Sequence, residues 1–163
     1  MNNTHTVSST WVRMIIDALE NQGLNGRELC VLSGIEYEQL SMPKSRFCQQ
    51  RISALWRLAA EMSGNPAIGL AVARPDSISA LDAFVYVLMS SQNIKDAYQH
   101  VIRFRHIIAD TIDISLTRKN SCYWASYDLR DNKSMLDHSY DAILGCNVSL
   151  IKWATFGKVL PVE

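Results

Sequence analysis

The hydrophobic period of the chain changes twice between residues 109 and 135, and that constrains the fold more than any other feature. Upstream, apolar residues recur with helical spacing. At Ile112, Ile114 and Leu116 they alternate with Asp113, Ser115 and Thr117, the two-residue period of a half-buried strand. Lys119-Asn120-Ser121 supplies a turn, and Tyr123, Ala125, Tyr127 and Leu129 repeat the alternation. Residues 111–129 therefore read as an antiparallel hairpin. The helical period returns over about 134–156, with Leu136, Tyr140, Ile143, Leu144, Val148 and Ile151 expected to face inward. Helices, a hairpin and a closing helix make a mostly helical α+β domain.

Local signals divide the helical part. Residues 1–9 read as a flexible polar lead-in and 10–163 as one domain. Ser9 or Thr10 caps a helix carrying Trp11, Ile15, Ala18 and Leu19, stopped at Gly23. Asn25 caps a short helix over Gly26 to Ser33, ended by Gly34, and Pro43 keeps 35–47 irregular. A helix over about 49–63 places Ile52, Leu55, Trp56 and Ala59 on one face, and Gly64 closes it. Asn65-Pro66 opens another helical turn towards Ala73. Residues 77–91 are apolar almost all round, which predicts a buried central helix. Asn93 caps a helix over 94–109, and Asp131 to Ser134 reads as a loop. Gly157 to Glu163 reads as the opening of a further strand. An isolated hairpin is marginal and leaves raw edges, so the expectation is a fragment cut before its last strands.

Composition narrows the classes of function. A chain of 163 residues, 48% hydrophobic, buries enough surface to fold without disulfides or metal. Sixteen basic residues balance sixteen acidic ones, so the charge excess of a free-standing nucleic-acid binder is missing. No basic segment followed by an apolar stretch opens the chain, and no apolar run is long enough to span a bilayer. Cys30, Cys48, Cys122 and Cys146 form no Cys-x-x-Cys pair. They are expected to be reduced and mostly buried, in a cytoplasmic protein without membrane attachment.

Four constellations are candidates for chemistry. Residues 26–40 have roughly the spacing of a helix-turn-helix. The second helix, however, would present Glu36, Tyr37, Glu38 and Gln39 to phosphates, with only Lys44 and Arg46 nearby. Asp96, His100 and His106 share a helix, but no further ligand is spaced to complete a zinc site, so no metal or cofactor is expected. Glycine-framed nucleophile motifs, phosphate loops and dinucleotide fingerprints are absent, and no catalytic residue is assigned. The fourth is Arg105, which lies on the stripe Ile94, Ala97, Tyr98, Val101, Ile108. A charge there needs a partner. One reading is internal, by snorkelling or by pairing with a residue such as Asp82. The other is a pocket in which Arg105, Tyr86, Tyr98, Trp124 and Tyr127 hold a small effector, a carboxylate-bearing one matching the guanidinium.

Two blocks carry a family likeness. One is Leu55-Trp56-Arg57-Leu58-Ala59-Ala60-Glu61 followed by Ser63-Gly64-Asn65-Pro66-Ala67-Ile68-Gly69-Leu70. The other is Leu88-Met89-Ser90-Ser91-Gln92-Asn93-Ile94-Lys95-Asp96-Ala97 followed by Arg103-Phe104. Together they resemble the arabinose-binding-like N-terminal domain of AraC/XylS-type transcription regulators. The resemblance implies a non-enzymatic sensor and dimerisation domain that responds to a small-molecule effector, not necessarily arabinose. DNA would be engaged only through a C-terminal pair of helix-turn-helix units, absent from this chain. The surface expected for a homodimer is the 134–156 helix, through Met135, Leu150 and Trp153. Two alternatives stay open: a small DNA-binding protein using residues 26–40, and a thiol enzyme.

Overall fold

The first helix starts at Ser8, whose extended backbone turns its hydroxyl to accept from Trp11 N at 3.3 Å. The structure, a computed structural model, describes residues 5–74, 82–130 and 137–158. Thr6–Ser8 forms a strand, β1, antiparallel to β2 (Arg46–Cys48), with Val7 opposite Phe47. A paired strand thus replaces the flexible lead-in from Thr6 onward. Three-residue strands are too short to show alternation, so the sequence gives no sign of this pairing.

α1 (Ser9–Glu20) buries Val12, Ile15, Ile16 and Leu19 along one side. α2 (Gly26–Ser33) is bounded as its local signals require. Asn25 Oδ1 accepts from Glu28 N at 3.1 Å, and Gly34 ends the helix at φ 73°. α3 (Gln49–Ser63) contributes Ile52, Leu55, Trp56 and Ala59 to the core, joined by Ile68 and Val72 from a 3-10 turn (Ile68–Val72).

The helix-turn-helix reading of residues 26–40 does not survive. After α2 there is only a five-residue 3-10 turn, Tyr37–Ser41, in place of a recognition helix. Its polar groups are also engaged locally. Arg27 pairs with Glu38 at 3.0 Å and lies 4.6 Å from the Tyr37 ring centroid, while Gln39 donates to Glu36.

α4 (Asp82–Met89) corrects a second expectation. Leu88 is buried, but Tyr86 is 79% exposed and Met89 55%, so the helix is not central. It packs on α5 (Ile94–Ile108), capped by Asn93 Oδ1 accepting from Asp96 N at 3.0 Å. The hairpin follows as β3 (Ile112–Lys119) and β4 (Cys122–Leu129), with Ile112 opposite Leu129. Asn120 takes φ 58° in the turn, a conformation asparagine tolerates.

α6 (Asp137–Ala154) buries Ser139, Ala142 and Cys146, whereas Leu144, expected inside, is 45% exposed. The reason is close approach. A Cβ on Gly69 would collide with the His138 carbonyl, and one on Gly145 would stand 2.7 Å from the Ala73 side chain. Only small residues fit that face. Ser149 Oγ donates to Ala73 O at 2.7 Å and locks the contact. The 131–134 loop, Met135, Leu136 and the strand expected from Val159 lie outside the described residues, as do the first residues of the 77–91 expectation.

One polar cluster joins the N-terminal strands to the hairpin side. Asp110 accepts from Thr6 N at 2.5 Å and from Thr6 Oγ1 at 2.9 Å, and pairs with Arg46 at 3.5 Å. Val7 bridges to Ala109 beside it. Beside this cluster lies a space bounded by α1, α3, α5, β3 and α6.

Candidate functional site

That space is a cavity of about 110 Å³. Its wall is largely apolar, with Trp11, Ile52, Trp56, Val101, Ile112 and Ile143 among its residues. Apolar concavities with a few polar groups are the usual small-molecule sites. Two of the polar groups at this wall carry unmet hydrogen-bonding capacity. Gln49 is 2% exposed and Ser139 is 4% exposed. Both line the cavity, and Gln49 Nε2 and Ser139 Oγ have no hydrogen-bond partner among the described residues. Buried polar groups are nearly always paired in folded proteins, which sets these two apart.

Gln49 opens α3 on the same face as Ile52 and Trp56, and Ser139 lies on the face of α6 that carries Ala142 and Cys146. Neither was nominated from the sequence. The signal was the one that singled out Arg105, a polar residue on an apolar stripe.

Arg105 also lines the cavity, but its head is committed to the protein. Nε donates to Ile112 O at 3.0 Å, Nη1 to Ile102 O at 2.9 Å and Nη2 to Asp113 Oδ1 at 2.5 Å. The internal partner is therefore Asp113 on β3. Arg130 holds the same carboxylate through two bonds of 2.8 Å. Hydrogen bonds from Arg130, then Arg105, keep the Asp113 carboxyl well below the usual range.

The nominated aromatics divide. Tyr127 OH donates to Tyr98 OH at 3.4 Å, and Tyr98 OH to Asn147 Oδ1 at 3.4 Å. Asn147 lines the cavity. Burial pushes both phenols above their ordinary pKa, so they stay neutral donors. None of Tyr86, Tyr98, Trp124 and Tyr127 is among the described lining residues, and Tyr98 and Tyr127 reach the wall only through Asn147. Tyr86 projects from α4, and Trp124 is 49% exposed beside Lys119, whose ammonium lies 5.6 Å from the ring centroid.

Among the described residues, no three His, Cys, Asp or Glu side chains are grouped to hold a metal. His100 Nδ1 instead lies 3.1 Å from Ser91 Oγ. The four cysteines are free; only Cys30 and Cys146 are buried, while Cys48 is half-buried and Cys122 exposed. Burial pushes the Cys30 thiol up to about 11 and the Cys146 thiol up to about 12, the reverse of an activated nucleophile. No described helix is long and apolar enough to cross a membrane.

A family model described as the N-terminal arabinose-binding domain of AraC transcription regulators matches residues 23–163. No curated protein matches the chain.

Proposed function

The chain belongs to the family of N-terminal arabinose-binding domains of AraC transcription regulators, and from that premise we propose that its cavity is the seat of effector sensing. The observation that carries this reading is the apolar space between α1, α3, α5, β3 and α6, lined by two buried polar residues, Gln49 and Ser139, each with an atom that has no hydrogen-bond partner among the described residues. A molecule bound there lies between several elements at once. It shifts the domain between arrangements only to the extent that it binds one of them better than the other.

The output is binding alone, without catalysis. The domain passes its state to a DNA-binding part of the regulator in the cytoplasm, and it works as a homodimer. Exposed Leu144 and Trp153 on α6 offer the apolar surface for pairing, whereas Leu150, expected there, lines the cavity, and Met135 lies outside the described residues. Sedimentation at rising concentration tests that pairing, and a strictly monomeric profile counts against it.

The sensing claim is tested by filling the cavity. Ile143 lines it and is half-buried, so Ile143→Phe adds volume without a polar change. In the regulator that carries this domain, the variant should keep DNA binding and lose its transcriptional response to effector. A normal response from folded protein would overturn the reading.

A further inference from the structure

Resting on that reading, we propose that the effector is an uncharged, mainly apolar molecule about as large as one substituted aromatic ring, with an oxygen that accepts from Gln49 Nε2. Size comes from the cavity. At about 110 Å³ it belongs with apolar protein cavities that hold a single benzene-sized molecule.

Charge comes from Arg105, the one Lys, Arg, Asp or Glu at the wall among the described residues. A carboxylate is held best by a free guanidinium edge, and here each of the three nitrogens already donates to a protein acceptor, at 2.5–3.0 Å, leaving one further N–H on each of Nη1 and Nη2. An anion there would compete with Asp113 for a guanidinium whose charge a carboxylate already balances. The carboxylate-bearing effector suggested by the sequence is therefore disfavoured.

Polarity comes from Gln49 and Ser139. Each is more than nine-tenths buried, and each presents an atom with no hydrogen-bond partner among the described residues. Gln49 Nε2 can only donate, so it requires an acceptor, whereas Ser139 Oγ can donate or accept. A pentose does not fit this pattern. Its hydroxyls would each need a partner, and most of the wall is hydrocarbon.

The test uses three ring compounds of similar size: toluene, benzamide and benzoate. Binding to the chain is measured by calorimetry, and to its Gln49→Met and Ser139→Ala variants in parallel. Benzamide should bind on the order of ten-fold more tightly than toluene, because it satisfies a buried donor. Benzoate, matched to benzamide in shape, should bind least. Gln49→Met should bring benzamide down to the level of toluene and leave toluene unweakened. Should that variant not fold, a smaller loss of benzamide preference in Ser139→Ala carries the same prediction.

Benzoate binding as tightly as benzamide overturns the proposal, as does an unchanged benzamide-to-toluene ratio in the variants. If no ring compound binds while Ile143→Phe still abolishes the response, the proposed chemistry falls and the sensing role stands. If Ile143→Phe responds normally, the sensing role falls as well.

Discussion

Replacing Arg105 with methionine keeps most of the side-chain length and removes three donors and a charge. In the folded chain those donors serve Ile112 O, Ile102 O and Asp113. The Asp113 contact is charge-assisted but partly screened by solvent, since Arg105 is 27% and Asp113 46% exposed. Hydrogen bonds to charged groups contribute about 1.5–3 kcal/mol each. Here Asp113 keeps its two bonds to Arg130, so the substitution leaves no orphaned carboxylate. The expected loss is about 2–3 kcal/mol. For a domain of this size, that lowers Tm by roughly 4–12 °C. Thermal unfolding followed by circular dichroism at pH 7 measures it, alongside effector-dependent transcription in the regulator. The expected result is a lower Tm with a normal response from the folded fraction. An unchanged Tm together with a lost response would refute the structural role and make Arg105 an effector ligand.

Gly69→Ala should destabilise by at least about 2 kcal/mol, since its new methyl meets the His138 backbone carbonyl and neither element can give way cheaply; a denaturant midpoint equal to wild type would contradict the packing. The depressed Asp113 pKa makes its ion pairs an acid-labile contribution. It is fully present above the unfolded carboxylate pKa of about 4, and is lost as pH falls through the lower folded value. Tm should therefore fall below pH 4, and Asp113→Asn should flatten that fall; an equally steep profile in the variant would sink the assignment. Iodoacetamide at neutral pH should label exposed Cys122 in the native state and spare Cys30 and Cys146 until unfolding. Rapid native labelling of Cys146, read by mass spectrometry, would revive a thiol chemistry.

Local signals made much of the fold legible. Asn25, Gly34, Gly64 and Asn93 mark helix ends in the sequence and sit at helix ends in the structure, because capping is decided by a residue and its immediate neighbours. The β3–β4 hairpin was equally plain from its alternation. Long-range choices were hidden. β1 and β2 are too short to have a period, and the phase of α6 depends on the glycines and small residues that let the Ile68–Val72 turn approach it. α4 looked buried because it is apolar, yet apolar composition does not say what will cover a helix.

The site was half legible for the same reason. A polar residue on an apolar stripe singled out Arg105, but its partner Asp113 is fixed by how the first hairpin strand returns against α5, which no stripe encodes. Gln49 and Ser139 interrupt apolar stripes in the same way. A neutral side chain attracts less notice than a charge, although burying it unpaired is also costly.

Reception of a small molecule by this cavity is tested most directly by isoleucine methyl resonances. Ile52, Ile112, Ile114 and Ile143 line the space. Ile16 and Ile35 are buried elsewhere in the core, and Ile107 is 58% exposed at the surface. Titrating benzamide into methyl-labelled protein should shift the first group saturably while Ile16, Ile35 and Ile107 stay in place. Shifts confined to Ile107, or none at the cavity isoleucines at millimolar benzamide, would contradict it.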